Sequence, residues 1–240
     1  MKKLVGLLSV LFISLFVSAS LLAQCTQACA VNAKCGWEIL FDGNSVEKWR
    51  GKESHVFPQK GWKIENGLLF LAESGGGDII TKEKYCDFEL VFSFNLTEGA
   101  NSGIKYFVDS LVNSETGSVS INGPEYQIID DEHNIHVKDD PNGLSSTASA
   151  YLLYAPENKK LNHYGQWNTG RIVAKNETVE HWLNGVRVVK YKRGSKDFLE
   201  RKADTKFKNV EKYGEQKCGH ILLTDHGDKV FFKNIKIRKL

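Results

Sequence analysis

The sequence predicts an all-β protein, an antiparallel β-sandwich of the jelly-roll type with one short charged helical insertion. Three observations support this class. Roughly ten short segments alternate apolar and polar residues, which is the period of a half-buried strand. Two Asn-Gly dipeptides each separate a pair of such segments, as tight hairpin turns do. Beyond the N-terminus, the stretch that best suits a helix lies in the Lys-, Glu- and Asp-rich residues 191–217.

The N-terminus has the organisation of a secretory signal peptide. A basic Met-Lys-Lys start is followed by the apolar run 4–23, which ends in small residues. A membrane-spanning anchor is the alternative for a run of this length, but its interspersed serines favour cleavage. The small residues place the cut after Ala23 or after Ala30. We therefore expect an exported protein, located in the periplasm or at the cell surface.

This reading divides the chain into three parts: a signal peptide over 1–23, a leader over 24–35 and a single β-sandwich domain over 36–240. The residues before Cys25 are similar to a lipobox, which would make Cys25 a lipid-modified N-terminus. Gln24 is unfavourable directly before that cysteine, so the lipid anchor is the less favoured option.

Charge and cysteine content narrow the function classes. The 240 residues carry a formal charge of +3, and loss of Lys2 and Lys3 with the signal peptide would leave +1, which gives no electrostatic footprint for nucleic acid. No later stretch is apolar enough to span a bilayer. Export would permit disulfides, but the pairing of the five cysteines stays open, and buried free thiols are the alternative. Their spacing does not suit a metal site. The cysteines are Cys25, Cys29, Cys35, Cys86 and Cys218.

The predicted elements follow one another closely from Gly36. Residues 61–71 and 178–190 predict hairpins that turn on Asn66-Gly67 and Asn184-Gly185. Residues 86–96 predict a strand with Phe and Leu on one face. Further strands are expected at 101–109, where Gly103 permits a close approach, and at 148–154, 167–175, 219–224 and 230–237. A loop is expected at 74–77 and a helix at 196–204.

The stretch 123–133 carries the strongest functional signal in the residues themselves. A Gly-Pro turn precedes a strand whose alternation puts Glu125, Gln127 and Asp131 on one face. A strand that served only a core would place Val, Ile or Leu at these positions. The alternative is an exposed sheet face that is polar because it is wet.

Seven short motifs follow one another along the chain. They are residues 36–43 (GWEILFDG) with 49–51 (WRG), 62–67 (WKIENG), 101–104 (NSGI), 123–131 (GPEYQIIDD), 165–168 (GQWN), 181–185 (HWLNG), and 224–227 (TDHG) with 232–235 (FKNI). In this order they resemble the motifs of the 3-keto-disaccharide hydrolase domain family, a concanavalin A-like sandwich found in exported bacterial proteins. The similarity covers nearly everything from Gly36 to Leu240.

The resemblance implies a carbohydrate substrate and cleavage of glycosides whose ring carries a ketone at carbon 3. Such a ketone acidifies the proton on carbon 2. A base can remove that proton, the enolate expels the group on carbon 1, and water adds to the enone. This route needs a base, a donor or cation for the enolate oxygen, and an acid for the leaving oxygen. A divalent metal ion that bridges the sugar oxygens could serve the electrophilic role, with its identity left open.

The catalytic candidates come from the polar strand and its acidic end. Glu125 is the main candidate for a base or a metal ligand, with a salt-bridged surface Glu as the alternative. Asp131 and His133 are candidates for an acid or a ligand, with a solvated loop as the alternative.

The substrate-binding candidates are distributed along the chain. Gln127 could hydrogen-bond a sugar hydroxyl, and Lys105 could stabilise an oxyanion or be a surface lysine. Tyr151 could contact sugar or pack in the core. His181 precedes a hairpin turn, whereas His226 stands beside Asp and Gly and could hold its pKa in the useful range.

Two other functions compete with a 3-keto-glycoside enzyme. The first is a carbohydrate-binding module or lectin on the same fold. The second is a laminarinase-type glucanase, whose paired acids would fall at Glu125, Gln127 and Asp130. The middle position is an amide here and Asp130 faces away in a regular strand, which disfavours the glucanase unless a bulge brings Asp130 round.

Overall fold

The computed structural model describes residues 36–240, whose strands form two antiparallel sheets packed as a sandwich. The predicted signal peptide, its cleavage site, the leader and the first three cysteines lie outside the described residues. The strands are β1 Glu38–Phe41, β2 Trp49–Gly51, β3 Trp62–Glu65, β4 Leu68–Leu71, β5 Ile79–Thr81, β6 Phe88–Leu96, β7 Asn101–Val112, β8 Val119–Asn122, β9 Glu125–Ile129, β10 Trp167–Lys175, β11 Thr178–Leu183, β12 Val186–Lys192, β13 His220–Leu223 and β14 Val230–Lys239. The helices are α1 Ile135–Lys138 and α2 Lys196–Ala203.

Sheet A contains eight strands in the order β12-β11-β10-β6-β14-β4-β3, with β1 also paired to β14. Its central strand β6 points Phe88, Leu90, Phe92 and Phe94 into the core, where all four are fully buried. Burial of this aromatic ladder between two sheets is the main favourable term in the folding of such a sandwich. The predicted sandwich and the predicted face of β6 are both confirmed.

Sheet B contains six strands in the order β2-β5-β13-β7-β8, with β9 also paired to β7. Strand β7 is long enough to pair with β9 over Asn101–Lys105 and with β8 over Asp109–Val112. Between these halves Phe107 has a left-handed backbone (φ 53°), and the register with β13 shifts at the same level. This bulge lets two strands share one edge of β7.

Both predicted hairpins are present and turn as the sequence indicates. Asn66 and Gly67 have positive φ values of 51° and 76°, and Asn184 and Gly185 have values of 47° and 83°. Two consecutive left-handed residues match the twist of the flanking strands. The Asn184 side chain also accepts a hydrogen bond from the Thr169 amide, so this residue has a structural role.

The strand predicted over residues 148–154 is wrong. Ala148 and Leu152 have left-handed backbones, with φ values of 71° and 63°, which a continuous strand cannot accommodate. The segment forms isolated bridges from Ala150 to Tyr126 and Tyr154 instead. The predicted helix over 196–204 is present as α2, which begins after the N-cap Ser195 and ends at Ala203, before the C-cap Asp204.

A disulfide joins Cys86, just before β6, to Cys218, just before β13. It therefore connects the two sheets at one end of the sandwich. The backbones of Tyr85 and Gly219 exchange two hydrogen bonds beside it, of 2.8 and 3.0 Å. Within residues 36–240, neither helix has the length and apolar content needed to cross a membrane.

Candidate active site

The candidate site lies on the face of sheet B that is turned away from the core. In β7 and β9, Ile104, Tyr106, Tyr126 and Ile128 belong to the core. Because side chains alternate along a strand, the residues between them point to the opposite face. Lys105 pairs with Glu125 and Gly103 pairs with Gln127 in the register of the two strands.

The Glu125 side chain lies flat over Gly103. A Cβ atom at position 103 would sit 2.0 Å from Glu125 Oε1 and 2.9 Å from its Cδ, so only glycine leaves room for this carboxyl group. Glu125 is 5% exposed, and Oε1 is buried without a hydrogen-bond partner. A carboxyl oxygen left unsatisfied in this way is costly for stability, which points to a role in binding or catalysis.

Charges around Glu125 act in opposing directions. Burial raises the pKa of Glu125, whereas the ammonium groups of Lys105 and Lys206 lower it and the Asp78 carboxylate raises it further. Burial dominates, so the carboxyl is a stronger base than a solvated one. Lys105 Nζ lies 4.0 Å from Glu125 Oε2 and donates to Asn122 Oδ1 at 3.1 Å.

Polar groups continue from Glu125 along both strands. Gln127, which is also buried, donates from Nε2 to Asn101 Oδ1 at 3.1 Å. On the other edge of β9, the Tyr151 amide donates to the Glu125 carbonyl at 3.0 Å. Burial and then the Glu125 carboxylate raise the pKa of the Tyr151 phenol, and the ammonium of Lys206 lies 4.8 Å from the centre of its ring.

His226 joins this group from the loop that follows β13. Asp225 fixes the loop, since its carboxylate accepts from the amides of Gly77 at 2.7 Å and Gly227 at 2.9 Å. Loss of hydration and the nearby Lys105 ammonium lower the pKa of His226, and Asp78 opposes this effect. The ring is therefore mainly neutral near pH 7. We call Lys105, Glu125, Gln127, Tyr151 and His226 together the Glu125 site.

Two predicted catalytic residues, Asp131 and His133, are not brought to Glu125. They follow the far end of β9, whose last residue, Ile129, is about 13 Å along the strand from Glu125. Asp131 accepts from the Thr147 amide at 2.8 Å and pairs with Lys159 at 2.6 Å. His133 Nδ1 lies 2.9 Å from Asp130 Oδ2. These contacts fasten the loop after β9 and do not support the predicted catalytic role.

His181 was predicted to contact substrate, but it is fully buried between the sheets. Its Nε2 lies 2.8 Å from the Tyr106 hydroxyl and its Nδ1 lies 3.0 Å from the Ala148 carbonyl. Burial lowers the pKa of His181 to about 4, so the ring stays neutral and Nδ1–H can donate to Ala148. It is a core residue that holds the backbone of residue 148, out of reach of a sugar.

Three residues near the Glu125 site did not figure among the sequence-based candidates. Asn101 lies in one of the family-like motifs and could have been found there. Asp78 follows a glycine-rich loop, a pattern that indicates a turn more readily than a site. Lys206 belongs to the charged insertion, and no local signal distinguishes it from the other lysines there.

The described part of the chain does not provide a set of ligands for the predicted metal ion. No group of three or more His, Cys, Asp or Glu side chains converges there as metal ligands would.

A cavity of about 620 Å³ lies elsewhere, beside the disulfide and the buried Arg193. Both lysines and carboxylates line it, so it offers no single sign of charge to a ligand. The Arg193 guanidinium donates to the carbonyls of Gln216 at 2.7 Å and Asn176 at 2.8 Å and stacks on the Phe107 ring. These contacts indicate that Arg193 has a structural role beneath the bulge in β7.

Comparison with known proteins identifies a matching family and several similar proteins. The profile of the 3-keto-alpha-glucoside-1,2-lyase-like domain matches residues 36–238. A curated 3-keto-disaccharide hydrolase from Bacteroides thetaiotaomicron is 29% identical over 230 residues, covering 85% of this chain and 79% of that protein. A solved candidate glycosyl hydrolase from Parabacteroides distasonis is 31% identical, with a TM-score of 0.72 over 85% of this chain and 94% of that one. A second such structure from that organism, at 23% identity and TM-score 0.63 over 85% and 84% of the chains, shares the fold.

Proposed function

Because this chain belongs to the family of 3-keto-alpha-glucoside-1,2-lyase-like domains, we propose that it is a glycosidase-type enzyme that cleaves 3-keto-glycosides, 3-keto-disaccharides among them. The bond broken is the one between carbon 1 and the oxygen of the leaving group. The observation that carries the proposal is the buried carboxyl of Glu125, whose Oε1 has no hydrogen-bond partner and whose Oε2 lies beside the Lys105 ammonium.

Glu125 is the base in this proposal. Its carboxylate takes the proton from carbon 2, and the electron pair of that C–H bond forms the double bond between carbons 2 and 3. A base whose pKa is raised by burial accepts a proton more readily than a solvated carboxylate does. The resulting negative charge is carried by the oxygen on carbon 3, which is then an enolate oxygen.

Lys105 stabilises that negative charge. Carbons 2 and 3 are neighbours, so the base and the group that binds the enolate oxygen must also be neighbours. Glu125 Oε2 and Lys105 Nζ, 4.0 Å apart, meet this requirement. A cation held in a water-poor site stabilises a developing oxyanion more than it would in bulk water.

The remaining steps expel the leaving group and add water. The enolate re-forms the carbonyl, a double bond forms between carbons 1 and 2, and the C1–O bond breaks as the protonated form of His226 donates its proton to the departing oxygen. Water then adds its oxygen to carbon 1 as one of its protons passes to the now neutral His226, and the protonated Glu125 returns a hydrogen to carbon 2. The sum is hydrolysis, with both side chains restored. Gln127 and Asn101 would hold ring hydroxyls.

A turnover experiment in heavy water tests this proposal. We expect the purified protein to release the leaving sugar from a 3-keto-disaccharide, to leave the unoxidised disaccharide intact, and to place deuterium on carbon 2 of the keto product. Release that places no deuterium at carbon 2 and is no slower for a substrate already deuterated at carbon 2 would contradict proton abstraction. Equal cleavage of the unoxidised sugar would favour an ordinary glucanase, and binding without cleavage would favour a carbohydrate-binding module.

Gly103→Ala should impair turnover without unfolding the protein. The added methyl group would overlap Glu125 Oε1 and displace the carboxyl, and a misplacement of that size costs about 100-fold in rate. We expect a loss of about 1–3 kcal/mol in the free energy of unfolding from overpacking. Steady-state kinetics and urea unfolding measure the two effects.

Ser102→Ala is the matched control for this substitution. Ser102 is the preceding residue on the opposite face, and its hydroxyl donates to the Thr224 carbonyl at 3.2 Å. Its removal should cost about 1 kcal/mol of stability and leave turnover near the wild-type rate. Equal turnover losses in the two variants would show that general loosening of β7, and not displacement of Glu125, lowers the rate.

We also propose that the protein is exported. The apolar N-terminal run with its basic start favours this location, and so does the Cys86–Cys218 disulfide, because disulfides persist in oxidising compartments. Fractionation of cells that produce the full-length chain, with mass spectrometry of its mature N-terminus, tests this proposal and distinguishes simple cleavage from lipid modification at Cys25.

A further inference from the structure

A second cavity, of about 390 Å³, opens on sheet B between the loop after β2 and the glycine-rich loop before β5. Its volume falls in the range of about 300–1,000 Å³ that is typical of small-molecule sites. Its lining includes Lys52, Ser54, Gly76, Gly77 and Asp78. None of the functions assigned above uses it.

This cavity lies two strands away from the Glu125 site across sheet B. The Gly103 carbonyl accepts a hydrogen bond from the Thr224 amide. Because Ile79 pairs with Leu223, Asp78 lies beside Thr224. The Asp78 carbonyl in turn accepts from the Lys52 amide. Adjacent strands are about 4.8 Å apart, so Asp78 is about 10 Å from Gly103 and the carboxyl above it. Two linked pyranose rings cover such a span.

His226 follows, by two residues, Thr224, whose amide donates to the Gly103 carbonyl. The Lys105 ammonium lowers the pKa of its ring and the Asp78 carboxylate raises it, so the ring lies near groups of both places. A glycosidic oxygen that bridges a ring over Glu125 and a ring in the second cavity would therefore pass beside His226. This is the position that a proton donor to the leaving oxygen requires.

The walls of the cavity are pre-formed. The Trp62 indole donates to the Gly77 carbonyl at 2.8 Å, and Asp225 accepts from the Gly77 amide at 2.7 Å. A Cβ atom on Gly61 would come within 2.6 Å of Gly76, so the glycine-rich loop packs directly on the neighbouring backbone. A pre-formed cavity spares a ligand the cost of ordering a loop.

The polar groups at the cavity suit a neutral polyol. Lys52 Nζ pairs with Asp78 Oδ2 at 2.8 Å, which uses one of its three N–H groups, and the side chains remain 30% and 17% exposed. The pair presents donors and acceptors side by side, as vicinal hydroxyls need. A net anion would meet Asp78 and Glu53, and a net cation would meet Lys52.

We propose that this cavity binds the leaving sugar of a disaccharide substrate, with Lys52 and Asp78 as its hydroxyl-binding pair. The inference rests on the proposed function and adds to it that the preferred leaving group is a second hexose and not a small alcohol. Lys52→Met tests it, because this change keeps the aliphatic stem and removes the donor.

The first measurement compares kcat/KM for a 3-keto-disaccharide with kcat/KM for methyl 3-keto-glucoside, whose leaving group cannot reach the cavity. We expect Lys52→Met to lower the ratio of the two values about tenfold, mainly through KM of the disaccharide. Lys84→Met is the matched control, since Lys84 forms a 2.8 Å pair with Asp109 and belongs neither to the Glu125 site nor to the lining of the second cavity. The ratio for this variant should equal that of the wild type. An unchanged ratio in Lys52→Met overturns the proposal.

The second measurement separates this proposal from the proposed function. If the wild type cleaves neither substrate, the function fails, and titration with unmodified glucose decides on the cavity. Shifts of the Gly76 and Gly77 amide resonances in the wild type that are reduced in Lys52→Met would support the subsite. Absence of such shifts in the wild type would overturn it.

Discussion

Glu125→Gln is expected to reduce turnover of a 3-keto-glycoside by about 1,000-fold, within the range of about 10²–10⁴ attributed to a positioned base. The amide has the same shape as the carboxyl, so it fits the space over Gly103 and substrate binding should survive. Steady-state kinetics and calorimetric titration measure the two properties. A variant that binds substrate and turns it over at the wild-type rate would remove Glu125 from the mechanism.

The pH dependence of kcat/KM in the wild type and in Glu125→Gln provides an independent test of the role of Glu125. Burial raises the pKa of Glu125, so wild-type kcat/KM should fall on acidification at a pH above the usual value of about 4.3 for a glutamate. The acid limb due to this group should be missing from Glu125→Gln.

Stability should respond in the opposite direction to activity. A group whose folded-state pKa is raised contributes stability below its unfolded pKa, and this contribution is lost as the pH rises through the folded pKa. At pH 7 the ionised Glu125 therefore destabilises the fold, and Glu125→Gln should unfold at the same or a higher urea concentration. A marked loss of stability would indicate a structural salt bridge with Lys105.

Removal of the disulfide is expected to have the largest effect on stability. Cys86 and Cys218 are 132 residues apart, and a cross-link over such a loop stabilises by about 5 kcal/mol through the entropy of the unfolded chain. We expect the double variant Cys86→Ser/Cys218→Ser to lose this amount in urea unfolding. Because the Tyr85–Gly219 backbone bridge persists beside the cysteines, the folded structure and turnover should change little.

Reduction of the wild type provides the control for the double variant. Cys86 is exposed, so a thiol reductant can reach the bond. Reduced wild type and the double variant should unfold at the same urea concentration. If the reduced protein keeps the stability of the oxidised one, the bond does not constrain the unfolded chain as inferred here.

Much of the fold could be predicted from the sequence because its signals are local. The alternation in β6 and the two Asn-Gly turns require only the residues themselves, and both were assigned correctly. The predicted strand over 148–154 failed because its conformation is imposed from outside. His181 and β9 form hydrogen bonds with its carbonyls and amides. Two of its residues, Ala148 and Leu152, adopt left-handed backbones that their residue types do not predict.

The candidate site could be predicted only in part for a related reason. Strand alternation correctly placed Glu125 and Gln127 on one face, but extrapolating the same alternation to Asp131 failed, because β9 ends at Ile129. His181 faces the core, and no neighbour in the sequence indicates that Tyr106 lies opposite it. Contacts across sheets decide such cases, and a single sequence does not contain them.

Strand β9 is hydrogen-bonded on both edges, to β7 on one side and to residues 148–151 on the other. Relocating Glu125 would thus require rebuilding a sheet, whereas the segments after β2 and before β5 are connections, which tolerate insertions and substitutions. Divergence among relatives should therefore be concentrated in the lengths of those two connections. We expect lineages to differ in which glycosides they accept while keeping one way of removing the proton.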